Sequence, residues 1–296
     1  MSDWGKGAVN NTIGYGQGAK NNTLNWGESQ KTSWAGDTNI SGISATNYEN
    51  LYSFNFDAVD DYIDYGAATN LNFSADDPFT ISVWFNKPSL ASGQALISKS
   101  TNGVVNNGSG WLLWVSGNLV HFRIREDGNN YHQIRDNQPH PLNTWVNYVV
   151  TYDGSRTGSG LGLNLYENGI RLTNVSKSGN FGSGTGQSVA NMTIGARRTV
   201  EPTQTAIDLG YSGFIDESAV WDSELTQTDI TAIYNSGVPA DLNNSGLSRV
   251  PAFWSRLGEN ATWNGREWLN INDVNGNNNG IGINLAADAR RTDVPT

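Results

Sequence analysis

The 296-residue sequence contains no cysteine, only three histidines, and no apolar run that approaches the ~18 residues of a membrane-spanning helix. Without cysteine there is no disulfide framework, so we expect the chain to be made and folded in a reducing cytosol. Residues 1–14 are polar and rich in Gly and Asn, unlike a signal peptide. These absences predict that the protein is not exported by the usual route and has no membrane partner.

Charged residues make up only 16% of the chain, and they are one-sided, with a formal net charge of −10. A chain of this sign repels a phosphate backbone and an anionic membrane surface, so no nucleic acid is expected as a partner. Mutual repulsion keeps such a chain soluble at high local concentration. Calcium binding is the other use for part of this charge.

Glycine and aromatic rings are abundant: 34 Gly, 11 Trp, 11 Tyr and 9 Phe. Many large rings with little aliphatic mass favour β-structure around aromatic anchors. In residues 79–86, apolar and polar side chains alternate with the two-residue period of a strand, and residues 119–125 and 145–152 repeat the pattern. The composition and the period both predict an all-β protein.

Turn signals separate these runs, and the strongest is Asn168-Gly169, because both residues tolerate positive φ in a two-residue hairpin. About a dozen short strands with regular turns predict an antiparallel β-sandwich over residues 48–237. The residues expected in its core are Phe56, Ile81, Val83, Phe85, Val149, Leu165, Ile194, Ile215 and Val220.

One helix is expected, over residues 226–235. Thr226 and Asp229 stand at capping-box spacing, an apolar stripe follows, and Gly237 ends it. Beyond this helix the texture becomes polar, with scattered tryptophans. We therefore expect residues 238–296 to form a small, separate C-terminal appendage or assembly segment.

An eleven-residue repeat opens the chain. Trp4, Tyr15 and Trp26 are eleven residues apart, and the first two copies share the pattern aromatic-Gly-x-Gly-Ala followed by Asn-Asn-Thr. The Gly and Asn content disfavours a helix, so residues 1–47 are predicted to be an extended attachment arm. Its rings, with Trp34, would anchor on another protein because an isolated arm cannot bury them. A low-complexity leader is the alternative.

Several stretches resemble one known family. Residues 53–63, 79–85 and 213–234 are similar, in that order, to the opening strand pair, a core strand and the closing strand with its short helix in the concanavalin A-like, laminin-G-like (pentraxin-like) jelly roll. Residues 145–154 resemble the central Trp strand of that family. The resemblance implies a lectin-like domain, often with one calcium ion at the rim of the sandwich.

The flanks resemble structural proteins of tailed bacteriophages. The repeat leads into residues 31–38, which look like the N-terminus of such proteins, and residues 253–258, 271–284 and 293–295 resemble a C-terminal module in similar phage proteins. This implies a virion structural protein, a head decoration, fibre or tail component made in the host cytoplasm. Other virion proteins, copies of itself (a trimer in many phage fibres) and a host-surface glycan are the partners implied.

Four aspartates are candidates for the calcium site. Asp57, Asp60 and Asp61 precede one strand, and Asp216 lies on the closing strand, which in the family neighbours the first. Calcium takes six to eight oxygen ligands, often from carboxylates and carbonyls of neighbouring loops. The alternative is that these side chains cap turns or face solvent.

Four neighbouring residues are candidates for a glycan site: Asn129, Asn130, Tyr131 and His132. Lectin sites place an aromatic ring beside Asn or Asp and a backbone turn, and this stretch supplies all three. The alternative is that Tyr131 and His132 are ordinary strand residues.

Catalysis is not expected. Glycosidases use paired carboxylates, but Asp216 and Glu217 are adjacent, so in a strand they point to opposite faces. The three histidines lack zinc-site spacing. The leading hypothesis is therefore a phage virion protein that displays a lectin-like jelly roll. A free carbohydrate-binding module of a bacterial surface protein, and an unusual glycan hydrolase, are the alternatives.

Overall fold

The computed structural model describes residues 48–101, 109–127, 129–156, 161–182, 190–199 and 206–296. The chain divides into two compact units, Met1–Glu49 and Asn50–Thr296. The predicted anchors Trp4, Tyr15, Trp26 and Trp34 lie outside the described residues, so the attachment arm stays a prediction.

In the unit Asn50–Thr296, the described residues form β-strands, one α-helix, α1 (Gln227–Tyr234), and two short 3-10 turns, Thr69–Leu71 and Asn235–Gly237. The strands are β1 (Ser53–Asp57), β2 (Tyr62–Asp64), β3 (Phe79–Asn86), β4 (Ala91–Ser100), β5 (Gly110–Gly117), β6 (Leu119–Arg125), β7 (Tyr131–Asp136), β8 (Trp145–Tyr152), β9 (Leu163–Glu167), β10 (Ile170–Arg171), β11 (Val175–Asn180), β12 (Thr193–Ile194), β13 (Arg197–Arg198), β14 (Ile207–Asp208), β15 (Ser212–Trp221), β16 (Phe253–Ser255), β17 (Thr262–Trp263), β18 (Trp268–Ile271), β19 (Gly280–Ile283) and β20 (Arg290–Arg291). Among the described residues, no helix is long and apolar enough to span a membrane.

Two large antiparallel sheets form a sandwich. The eight-stranded sheet has the order β10-β9-β8-β3-β15-β1-β20, with β16 also paired to β15. The ten-stranded sheet has the order β11-β7-β6-β5-β4-β12-β2-β19-β18-β17, and β13 and β14 form a separate pair. The predicted all-β antiparallel sandwich is confirmed.

The core lies between the two sheets and follows the two-residue period of the strands. In β6, Val120, Phe122 and Ile124 are buried while the residues between them are half-buried. All nine residues predicted for the core are buried. β3 is buried on both faces because α1 covers its far side, where Trp84 stacks on Tyr234 at 5.7 Å between ring centroids.

The helix forms as predicted. The Thr226 side chain accepts a hydrogen bond from the backbone N–H of Asp229, and the Asp229 carboxylate accepts one from the backbone of Thr226. At the other end, Asn235 adopts φ 47°, a left-handed conformation that stops the helix. The Asp229 carboxylate also accepts hydrogen bonds from the backbone and side chain of Ser248, which ties the next segment to the helix.

The expectation of a separate appendage over residues 238–296 is wrong. This segment supplies β17, β18 and β19 to the ten-stranded sheet and β16 and β20 to the other, and it belongs to the same compact unit as the jelly roll. Its tryptophans Trp254 and Trp268 are buried in the sandwich. The physical reason is that β1 and β2 would otherwise be open edges with unpaired backbone groups. The short, polar strands of the segment hide this role in the sequence.

Candidate functional site

Three of the four predicted calcium ligands lie together at the β1–β2 turn. One carboxylate oxygen from each of Asp57, Asp60 and Asp61 lies within 4.8 Å of the others. Asp61 is buried and the other two are exposed. Burial, and then the charges of Asp57 and Asp60, raises the pKa of the Asp61 carboxyl to about 7. Crowded carboxylates of this kind gain from a bound cation.

Hydrogen bonds hold this turn in place without a metal ion. The Asp61 carboxylate accepts the backbone N–H of Asp57 at 3.0 Å, and Asp57 in turn accepts the N–H of Val59 at 2.7 Å. The Asn284 amide donates to Oδ2 of Asp60 at 2.9 Å. These contacts agree with the alternative that the aspartates cap the turn. A cation would bind the carboxylate oxygens that these hydrogen bonds do not use.

Asp216 does not join this cluster. Asp57 lies opposite Ser212 in the β1–β15 ladder, so Asp216 is four residues further along β15, about 13 Å at the usual strand rise. It is fully buried, where it accepts hydrogen bonds from the Asn50 amide and the backbone N–H of Glu217, both at 2.8 Å. Burial, and then the adjacent Glu217, raises the pKa of Asp216 well above its ordinary value. Strand register thus removes it from the predicted calcium site.

Glu217 is also engaged inside the fold. The β15–β3 pairing shifts register between Asp216 and Ala219, and Glu217 has φ 43°. Its carboxylate accepts hydrogen bonds from the indole Nε1 of Trp254 at 2.6 Å and from Nε of Arg256 at 3.1 Å. Both carboxylates are buried and bonded, so neither is placed to reach a substrate.

The structure separates the four predicted glycan ligands. Asn129 and Asn130 close the β6–β7 turn by donating backbone and side-chain hydrogen bonds to the Asp127 carboxylate, at 2.8–2.9 Å. His132 points into the core, where its ring stacks on Phe181 at 3.9 Å between centroids.

The Nδ1 atom of His132 lies 3.1 Å from the carbonyl oxygen of Leu161. Burial lowers the pKa of His132. His132 is fully buried and so cannot be a surface ligand, which corrects that prediction.

Tyr131 takes the opposite orientation and belongs to a surface that the sequence analysis missed. On β5, β6 and β7, the side chains that point away from the core form three cross-strand rows, here called the arginine face. The rows are Trp114–His121–Arg135, Leu112–Arg123–Gln133 and Gly110–Arg125–Tyr131. The signal that could have found them is a pair of arginines at alternate positions of a strand in an otherwise acidic chain.

Rings hold the central arginine of this face. The Arg123 guanidinium lies 4.7 Å from the Tyr131 ring centroid and 5.5 Å from that of Trp114, and its Nε donates to Gln133 at 2.7 Å. Trp114 also stacks on His121 at 4.8 Å. Cation–π contacts of this kind fix the plane of the guanidinium and exclude water from it.

A small, open depression lies beside Arg123. Burial, and then the neighbouring Arg125 and Arg197 groups, lowers the pKa of Arg123 to about 10. The lining residues are Ser100, Thr101, Gly110, Leu112, Arg123, Arg125 and Arg197.

Several solved structures are similar to this chain at low sequence identity. A candidate carbohydrate-binding protein from Bacteroides ovatus is 19% identical with a TM-score of 0.55, and the match covers 86% of this chain and 66% of that one. A heptameric SAP-like pentraxin from Limulus polyphemus is 14% identical (TM-score 0.43; 62% and 82% covered). The CBM40 of a Ruminococcus gnavus sialidase, bound to α2,3-sialyllactose, is 14% identical (TM-score 0.45; 63% and 100% covered). At these identities the likeness concerns the fold alone.

The family comparison is more direct, although no curated protein sequence matches the chain significantly. The model of the Concanavalin A-like lectin/glucanases superfamily matches residues 57–231, more than half of the chain. The match begins at the end of β1 and reaches α1, so it spans the central jelly roll and the arginine face. The resemblance of the central stretches to the concanavalin A-like jelly roll is thus confirmed, and the chain belongs to the concanavalin A-like lectin/glucanases superfamily.

Proposed function

We propose that this chain is a non-enzymatic carbohydrate-binding protein and that it binds glycan on the arginine face. The observation that carries the proposal is the row of half-buried rings and arginines, with a depression beside it, on a sheet face of a lectin-like fold. Sites for small polar ligands combine apolar surface with a few fixed donors. The Bacteroides ovatus protein, which shares the fold, carries a name that points to carbohydrate binding.

The proposal that the chain is non-enzymatic is supported by the burial and the hydrogen bonds of Asp216 and Glu217. Glycoside hydrolysis needs two carboxyl groups that flank the scissile bond. Here Asp216 is bonded to Asn50 and Glu217 is bonded to Trp254, and both are buried. A substrate would have to displace Asn50 to reach Asp216, and Trp254 and Arg256 to reach Glu217.

A glycan array probed with the full-length protein tests the binding function. We expect binding to a defined set of glycans and a loss of at least about tenfold in affinity for Trp114→Ala, since the ring supports the whole row. Trp263→Ala, which removes a half-buried ring at the edge strand β17, is the matched control and should bind like the wild type. Absence of binding to every glycan, with the protein shown to be folded, would overturn the proposal.

The setting in which the domain works is proposed to be a tailed-phage virion, where the chain is a homo-oligomeric structural protein that displays the jelly roll towards a host-surface glycan. The support is the eleven-residue repeat that contains Trp4, Tyr15 and Trp26, together with the resemblance of the flanks to phage proteins. A free carbohydrate-binding module is the competing function. Mass spectrometry of purified particles, followed by labelling with an antibody against the jelly roll, separates the two.

A further inference from the structure

We propose that the arginine face selects an acidic saccharide, with Arg125 and Arg123 receiving a carboxylate carried by a pyranose ring. The inference rests on the proposed carbohydrate-binding function and adds to it the chemical class of the ligand.

The arginine face carries local positive charge that the carboxylates of the described residues do not neutralise. Arg197 and Arg198, on β13, are paired with Asp208 and Asp64. The three arginines of β6 and β7 have no carboxylate partner among the described residues. Arg123 bonds to Gln133 and Arg135 to Asn137, both neutral amides. In a chain of net charge −10, this surface therefore concentrates uncompensated positive charge.

Some guanidinium N–H groups of the arginine face have no hydrogen-bond acceptor within the described part of the chain. Nε of Arg125 and Nε of Arg135 are buried and have no hydrogen-bond partner among the described residues. A guanidinium keeps its protons at all physiological pH values. The Arg125 side chain as a whole is half-buried, so an anionic ligand would contact its accessible part rather than the buried Nε, and would offset the charge that the fold leaves unpaired.

The geometry of a guanidinium fits that of a carboxylate. A guanidinium presents its donors in a flat fork that matches the two oxygens of a carboxylate. The depression beside Arg125 is small and open, and three arginines, Arg123, Arg125 and Arg197, line it. It therefore suits one charged sugar substituent, with the ring of the sugar lying along Trp114 and Tyr131. The serine and threonine hydroxyls at Ser100 and Thr101 line the same space.

The charge of the rest of the chain favours a short acidic ligand over a long polyanion. Nucleic acid and sulfated polymers extend well beyond one depression, and the chain outside this face is strongly acidic. Each added phosphate or sulfate group would be repelled by this acidic surface. A short saccharide places the carboxylate of one bound residue on the arginines and its hydroxyls elsewhere, so little further negative charge meets the acidic surface.

Calorimetric titration of the full-length protein with two matched ligand pairs tests the inference. The pairs are trigalacturonate with its methyl ester, and the methyl glycoside of N-acetylneuraminic acid with its methyl ester. Within each pair the two ligands differ only at the carboxyl group, which loses its charge and gains a methyl group in the ester, and the two acids distinguish a uronic from a nonulosonic source. We expect at least one acid to bind at least about tenfold more tightly than its ester, since hydrogen bonds to charged groups are the strong ones.

Two variants and one control locate the site. Arg125→Gln should lose that preference, and Arg125→Lys should lose most of it, since the charge is kept and the fork is not. Arg266→Gln makes the same charge change at an exposed residue between β17 and β18, and should bind like the wild type. Thermal melts confirm that each variant is folded.

The outcomes separate this inference from the function on which it rests. Equal binding of acid and ester, or an unchanged preference in Arg125→Gln, would overturn the inference while leaving carbohydrate binding intact. Binding of heparin or single-stranded DNA, weakened equally by Arg125→Gln and Arg266→Gln, would also overturn it. No binding to any neutral or acidic glycan would overturn the carbohydrate-binding function itself.

Discussion

The indole Nε1 of Trp254 donates a 2.6 Å hydrogen bond to Oε2 of Glu217, and this contact joins the C-terminal segment to the centre of the eight-stranded sheet. Glu217 sits at the register shift of β15 with φ 43°, a left-handed conformation that is unfavourable for glutamate. Such a conformation persists only where the surroundings fix it. Trp254 and Arg256 do so here, and the segment that was expected to be an appendage becomes part of the core.

Trp254→Phe should therefore destabilise the fold. The change removes the indole N–H that bonds to a buried carboxylate oxygen, which costs about 1–3 kcal/mol, and the smaller ring adds a cavity term. Urea denaturation measures the difference. The control is Trp263→Phe at the half-buried edge of β17, for which we expect a change within about 0.5 kcal/mol. Equal destabilisation by the two changes would show that the bond to Glu217 has no special role.

Asp216→Asn should make the protein more stable at neutral and alkaline pH. Burial raises the pKa of Asp216 in the folded state. Stability is therefore fully present below the unfolded-state pKa and is lost as pH rises from there towards the folded-state pKa. An amide at this position has no such ionisation. The Asn50 oxygen, which is buried without a partner, can accept from it after a rotation of the Asn50 amide.

Thermal melts across pH check this expectation. The melting temperature of the Asp216→Asn variant should increase relative to that of the wild type as pH increases from about 4. The exposed Asp222→Asn is the control and should follow the wild-type curve at every pH. A gap that stays constant with pH would mean that the Asp216 carboxylate is not the titrating group.

Calcium should stabilise the protein through Asp57, Asp60 and Asp61. Without a cation, the pKa of Asp61 is about 7 in the folded state, so stability should fall as pH rises from about 4 to about 7. A ligand that binds only the folded state stabilises it by about 2.7 kcal/mol at a hundredfold excess over Kd. Melting curves at slightly alkaline pH, with chelator and with millimolar calcium, measure this shift.

Asp61→Asn separates the calcium site from general ionic effects. It should raise stability in chelator, because the crowded charge is gone, and it should abolish the response to calcium. The exposed Asp222→Asn keeps the wild-type response. A calcium shift that survives in Asp61→Asn would place the binding site elsewhere, and no shift in the wild type would remove the calcium proposal.

Deletion of residues 1–39 should leave a soluble jelly roll that no longer joins its assembly. The reason is that residues Asn50–Thr296 form a compact unit of their own, whereas the arm carries the aromatic repeat proposed for attachment. Circular dichroism and particle incorporation are the two measurements. Incorporation of the truncated protein at the wild-type level would contradict the role proposed for Trp4, Tyr15 and Trp26.

The sequence by itself determined the central sandwich and its helix. The two-residue alternation in β3, β6 and β8 identifies side chains that pack against each other whatever their partners are, so the predicted core was correct. The capping box of Thr226 and Asp229 is equally local, since it involves only the backbone of one turn. Local periodicity and local hydrogen bonding are sufficient for such features.

Only the tertiary structure decided which residues form the sites. The alternation places Tyr131 and His132 on opposite faces, but only the packing of the two sheets decides that His132 is inside. In the same way, strand register separates Asp216 from Asp57. Pairing of distant strands brings Arg197 to Arg125 in one depression. These relationships depend on non-local contacts, which the spacing of residues along the chain does not encode.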